Sequence, residues 1–176
     1  MAELLAAGNQ VYESFLNLCV WAKDNGGMGS LYRSQHELVF VFRSGKDSHR
    51  NNVLLGKFGR NRSNLWNYPG ANTLSRTGDE GNLLAMHPTV KPVSLIAEAL
   101  LDCSAPHDIV LDSFLGSGST LLAAERISRV CYGMEIEPRY VDVAIRRWQT
   151  YTGEQAIHSI TGQPFDQVAV TGESRE

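Results

Sequence analysis

Cysteine is scarce in this chain: Cys19, Cys103 and Cys131 are its whole supply. An odd number, widely spaced and each in apolar company, gives no disulfide framework and no paired-thiol metal signature. Buried free thiols in a cytoplasmic protein are expected instead. Long apolar runs are missing too; none approaches the roughly eighteen residues of a membrane span, and no signal-peptide pattern opens the chain. Charge of one sign is not in excess. A net charge of −3 does not by itself announce a polyanionic partner. Histidine pairs at helical spacing are absent, so His36-Glu37 stands alone, with Glu37 at the start of a strand, and no metal site is assigned. Internal repeats and low-complexity segments are lacking as well.

The 176 residues, 43% of them hydrophobic, suffice for one domain with a real core, and two would be crowded. The best-organised stretch runs from residue 109 to 137, I-V-L-D-S-F-L-G-S-G-S-T-L-L-A-A-E-R-I-S-R-V-C-Y-G-M-E-I-E. Residues 109–111 are apolar and β-branched, the look of a strand buried on both faces. Asp112 ends it. Gly116 and Gly118 bracket a tight turn where backbone can approach a ligand closely. Helix formers follow from Ser119, and residues 130–134 are apolar again. Glu135 stands at the end of that second strand, about twenty residues past the glycines, as the acid of an adenosine-binding unit does. In such a unit the acid takes the ribose hydroxyls and the turn lies under the rest. A nicotinamide-dependent oxidoreductase would share this plan, but its fingerprint wants a third glycine where this chain has Leu121.

Elsewhere the chain reads more plainly. Asn9 caps a short helix carrying Val11, Phe15 and Leu18 at i, i+4 and i+7, with Gly8 as a breaker before it. Residues 18–22 read as a strand, 24–29 as a glycine-rich loop and 38–42 as a buried strand. From 43 to 84 the pattern dissolves, with islands at 53–55 and 65–68; Trp66 and Tyr68 argue against disorder there. Between 43 and 62, Arg43, Lys46, Arg50, Lys57, Arg60 and Arg62 face the single acid Asp47. That composition suits a loop facing a nucleic-acid groove, and equally a solvated loop with no partner. Residues 93–102 form an amphipathic helix with Pro92 in its first turn. Pro138 opens another, which carries Val141, Ile145 and Trp148 inward and stops at Gly153; a frayed polar tail follows.

D-S-F-L-G-S-G-S-T at 112–120 resembles motif I of the amino DNA methyltransferases, which bind S-adenosylmethionine. H-P-T-V-K-P at 87–92 resembles motif X of the same family, which closes over the methionine end of that cofactor. V-W-A-K-D-N-G-G-M-G-S-L-Y-R-S-Q-H-E-L-V-F-V-F at 20–42 is similar to the strand and loop that follow the family's catalytic motif. The resemblance runs from about Leu16 to about Gly153, in the permuted order of the family's β group. It implies an α/β, Rossmann-like methyltransferase fold over residues 1–153, with 43–86 as the target-recognition loop and 154–176 as the tail.

The implied activity is methyl transfer from S-adenosylmethionine to an exocyclic amine of a flipped base in double-stranded DNA, adenine-N6 or cytosine-N4. The implied setting is restriction-modification near the nucleoid of a bacterial or phage-infected cell. The family's cofactor roles map onto Thr89, Lys91, Asp112, Phe114, Gly116, Ser117, Gly118, Glu135 and Ile136; Ile136 would lie against adenine, and Thr89 and Lys91 at the cofactor's carboxylate. Arg33, Arg43, Arg60, Arg62, Asn64 and Trp66 are the expected DNA contacts. The catalytic motif, an Asp, Asn or Ser followed by Pro-Pro and an aromatic, has no match, for Pro69, Pro88, Pro92, Pro106, Pro138 and Pro164 are all isolated. No catalytic residue is therefore assigned. The chain is expected to be the C-terminal part of a longer methyltransferase, or a reading frame that starts late, and inactive alone. A strand would then be missing between 109–111 and 18–22, leaving both with open edges prone to self-association. The alternative is a non-catalytic remnant that only binds cofactor or DNA.

Overall fold

A computed structural model describes residues 1–29, 31–70 and 90–172. Helix α1 (Ala2–Val11) leads into an antiparallel hairpin of β1 (Ser14–Ala22) and β2 (His36–Arg43), and β3 (Leu65–Asn67) joins β1 in parallel on its other side. Then come α2 (Val93–Cys103), β4 (Ile109–Asp112), α3 (Ser119–Arg126), β5 (Val130–Gly133), α4 (Pro138–Thr152) and α5 (Phe165–Gly172). Strands β4 and β5 are parallel, with Ile109 opposite Val130 and Leu111 opposite Tyr132. Helix α3 makes the crossover that parallel neighbours require.

Helix α2 ties the two sheets together. Its Leu95 packs with Cys19, Trp21 and Trp66, while its Val93 and Ala97 pack with Leu122 and Ala123 of α3. Ile96 lies against both clusters. Burying each of these larger side chains stabilises the fold by about 1.5–3 kcal/mol. Trp21 also donates its indole N–H to the Tyr68 carbonyl at 2.9 Å, which satisfies the polar edge of a buried ring.

Several expectations are corrected. The N-terminal helix ends at Val11, and Phe15 and Leu18 belong to β1. Pairing of residues 14–22 with β2 overrides the helical spacing, and Gly8 sits inside α1 because a Cβ there would lie 2.2 Å from the Phe42 ring. Burial of 109–111 on both faces holds only for Val110; Ile109 and Leu111 are 69% and 67% exposed. Among the described residues that face is left largely bare. The open edges also differ from expectation. Residues Val20–Ala22 are paired on both sides, so among the described residues the outer edges lie on β2 and β3 in one sheet and on β4 and β5 in the other, not on the 20–22 stretch of β1. In α4 Val141, Ile145 and Trp148 are half-buried as expected, Trp148 against the cluster of Val93, Ala97, Leu122 and Ala123, and Ala144 is the fully buried residue. The tail holds a bridge between Ile157 and Pro164 and then α5. Cys19 is buried and Cys131 half-buried, but Cys103 is exposed.

Candidate functional site

The site grows from the end of β4. Asp112 Oδ1 accepts from the Phe114 N–H at 2.9 Å, a side-chain turn that swings the chain off the strand. Met134 N–H donates to the Asp112 carbonyl at 2.8 Å and Leu115 N–H to the Met134 carbonyl at 2.9 Å, so the turn is stitched to the end of β5. Gly116 and Gly118 have φ of 55° and 84°, the left-handed region that glycine enters at least cost. A Cβ on Gly118 would also lie 2.8 Å from the Ala144 Cβ, so α4 rests directly on the turn. Ser117, between the glycines, is buried, and both its carbonyl and its hydroxyl accept from Arg147 Nη1, at 2.7 and 3.2 Å.

Glu135 closes the arrangement. Its Oε2 accepts from Gly116 N–H at 2.8 Å and its Oε1 from Glu137 N–H at 2.9 Å. The acid expected at the end of the second strand thus lies against the turn. Phe114, in the turn, and Ile136, next to Glu135 in sequence, are 90% and 96% exposed. Two large apolar side chains left bare beside a polar turn are ready walls for an apolar ring. Asp112, Phe114, Gly116, Ser117, Gly118, Glu135 and Ile136 are therefore drawn to one end of the β4–β5 sheet. Cys131, in β5, takes no part: burial, then the Asp112 charge, pushes its thiol up to about 11, so it stays protonated at neutral pH.

Lys91, expected at the cofactor's carboxylate, pairs with an acid of β2. Its Nζ is 3.2 Å from Glu37 Oε2 and 5.9 Å from the centre of the Trp21 ring, which ties the start of α2 to β2. Lys23 Nζ meets the same carboxylate at 2.6 Å. Burial alone would raise the Glu37 carboxyl, but its hydrogen bond to Lys23 and the charge of Lys91 hold it below the usual range. Thr89, and His87 with it, lie outside the described residues.

The expected DNA contacts divide. Arg33 is exposed and Arg43 half-buried. Arg60 and Arg62 are turned inward onto α2: Arg60 Nη2 lies 2.7 Å from Asp102 Oδ1 and 2.8 Å from Glu98 Oε2, and Arg62 Nε 2.8 Å from Asp102 Oδ2. Two carboxylates four residues apart on one helix face outcompete solvent for both guanidinium groups. Asn64 donates its side-chain N–H to the Leu18 carbonyl at 3.0 Å, and Trp66 is buried beneath the Arg62 guanidinium at 5.6 Å. These four hold the 50–68 segment on the domain. Among the described residues no cluster of His, Cys, Asp or Glu could hold a metal ion. No described helix is long and apolar enough to cross a membrane.

Solved structures define the class. The M1.HpyAVI complex with S-adenosylmethionine superposes with a TM-score of 0.63 at 23% identity, over 84% of this chain and 68% of that one. The cytosine-N4-specific PvuII DNA methyltransferase does so at 0.61 and 20%, over 82% and 55%. The fold is that of the α/β DNA methyltransferases. The sequence profile of the DNA methylases of the N6/N4 type matches residues 4–146, and the chain belongs to that family. It is also 30% identical over 145 residues to the type II methyltransferase M.HinfI of Haemophilus influenzae, covering 75% of this chain and 38% of that protein. The chain thus spans less than half the length of the curated relatives it matches.

Sequence reasoning missed Arg147 and Ala144, which brace the turn, and the acids Glu98 and Asp102. The second pair had a signal: two carboxylates spaced i, i+4 on a helix whose sequence partner is the closely spaced Arg60 and Arg62.

Proposed function

We propose that this chain binds S-adenosylmethionine in the glycine turn and serves methyl transfer to an exocyclic amine of adenine or cytosine in duplex DNA. The observation that carries the proposal is the 2.8 Å bond from Gly116 N–H to Glu135, which sets turn and acid side by side. The residues fit the cofactor. The Glu135 carboxylate is oriented by backbone bonds from Gly116 and Glu137, which fixes an acceptor beside the turn where a ribose hydroxyl would lie. Phe114 and Ile136 would take the adenine between apolar surfaces, and the left-handed glycines leave bare backbone beneath the remainder. Bound there, the cofactor supplies a sulfonium methyl carbon open to in-line attack by the amine. What the protein's own residues contribute is orientation: Arg147 stiffens Ser117, and Ala144 fixes the turn against α4.

In this reading the order is the permuted one of the β group. The groups that grip the target amine belong to the Pro-Pro-aromatic motif, which this sequence does not carry. The setting is the interior of a bacterial or phage-infected cell, where duplex DNA is the partner. Calorimetric titration of residues 1–176 with S-adenosylmethionine and with NAD tests the cofactor; binding of NAD in preference would overturn the reading. Tritiated methyl transfer to DNA tests the division of labour. The chain alone is expected to give none, and incorporation above background would show catalytic groups within it.

A further inference from the structure

The segment between β2 and β3 is held on the domain at two points. At one, Asn52 N–H donates to the Asp102 carbonyl at 2.9 Å, and Asn52 Nδ2 to the carbonyls of Leu101 and Ser104, both at 2.8 Å. At the other, Arg60 and Arg62 are clamped to Glu98 and Asp102. Both anchors are on helix α2 and its C-terminal end. Residues 53–59 stand out between them as a stiff turn. Asn51 Oδ1 accepts from the Val53 and Leu54 N–H groups at 3.0 and 2.9 Å. Gly56 N–H bonds to the Val53 carbonyl, Lys57 N–H to that of Leu54 and Gly59 N–H to that of Gly56.

What this turn presents is unusual. Leu54 and Leu55 have φ of 36° and 55°, a left-handed conformation that residues with a Cβ rarely adopt. Such strain persists where surrounding bonds over-determine it, and it concentrates at functional positions. Its product here is a leucine held away from the protein: Leu55 is 99% exposed, with Leu54 at 45% and Phe58 at 58% around it. Lys57 Nζ lies 5.8 Å over the Phe58 ring, and Lys46, earlier in the segment, is exposed. An apolar tip with a cation beside it complements a polyanion with an apolar interior.

We infer that Leu55 is a wedge that enters duplex DNA between base steps while Lys46 and Lys57 take the flanking phosphates. The inference rests on the reading of the chain as a DNA methyltransferase and extends it, because unstacking a step is the first cost of flipping a base out of the helix. Leu55 carries the deformation and the lysines carry the attraction, so the two contributions separate by salt.

The test uses residues 1–176 and a mixed-sequence duplex with a fluorophore at each end. Anisotropy against salt gives affinity and its slope, and energy transfer between the ends gives the bend. Leu55→Ala and Leu55→Gly are expected to bind about tenfold more weakly, the loss of one buried leucine, with the log–log salt slope unchanged and the bend reduced. Leu55→Gly suits the left-handed turn, so its fold is kept, and an unchanged melting temperature checks this. Lys57→Ala should instead lower the slope by about one unit. Wild-type affinity and bend in Leu55→Gly would overturn the wedge and leave the methyltransferase reading standing. A wild-type chain that ignores the duplex but binds vesicles of anionic lipid would overturn both.

Discussion

Substituting Gly118 by alanine probes the joint on which the cofactor turn depends. Two costs add at this position. With φ at 84°, any Cβ meets left-handed strain of about 1–2 kcal/mol. The new methyl would also lie 2.8 Å from the Ala144 Cβ and 3.0 Å from its Cα, and the second of these is backbone. Helix α4 must therefore shift, at an overpacking cost of about 1–3 kcal/mol. The sum is about 2–5 kcal/mol, or about 4–20 °C in melting temperature for a chain of this size. Gly153 is the built-in control, since its φ is 75° but nothing lies within 4 Å of a Cβ placed there. Gly153→Ala should cost the strain alone. Denaturant unfolding of both variants isolates the packing part as their difference. Placing Gly118→Ala in an Ala144→Gly background should recover part of that difference, since the methyl–methyl contact is gone. Equal costs at the two glycines, or no coupling with Ala144, would refute the close approach of α4.

Glu135→Ala should weaken S-adenosylmethionine binding by about 1–3 kcal/mol, the cost of orphaned hydrogen-bond partners, and calorimetry that finds no change would remove Glu135 from the site. Arg60→Ala and Arg62→Ala should destabilise the fold by about 1–3 kcal/mol, between the values for exposed and buried pairs, without altering the salt slope of DNA binding. A slope lowered by about one unit per substitution would return these arginines to the phosphates. The Glu37 carboxyl is held below its ordinary value of 4.5, so it contributes stability above that pH and loses it as pH falls through the lower, folded value. Acid titration of Glu37→Gln should lack that component, and an unchanged acid limb would contradict the Lys23–Glu37–Lys91 pairing.

What could be read from the sequence was local. Helix α2 was plain because Val93, Ile96, Ala97 and Leu100 recur on one face, which packs on α3, whereas Leu95, off that face, meets Cys19, Trp21 and Trp66. The β4–turn–α3–β5 unit was plain because its signals lie within a few residues of one another. The N-terminal segment misled because Val11, Phe15 and Leu18 fit a helical period by accident. Only the pairing of Phe15 with Phe42 and Leu18 with Phe40 settles those two as strand, while Val11 stays in the helix. Such pairing is non-local, and propensity yields to it. The bare face of β4 was illegible for a related reason. Ile109 and Leu111 are as apolar as a buried strand requires, and sequence records the demand for cover without saying whether it is met.

The site shows the same limit more sharply. A count of charges between 43 and 62 cannot distinguish an arginine turned to phosphate from one turned to carboxylate, and it does not reveal that Arg60 and Arg62 pair with Asp102. Arg146 and Arg147 pose a finer version. Adjacent in sequence and identical in type, they lie about 100° apart around α4, so only one can face the turn. Ala144 decides which. The close approach that Gly118 permits pins Ala144 inward, and Arg147, three residues on, shares its face. It therefore meets Ser117, whereas Arg146 lies over the Phe165 ring at 5.7 Å. The second glycine of the turn thus has two consequences. It lets the chain bend, and by admitting the helix it selects the arginine that holds the bend in place.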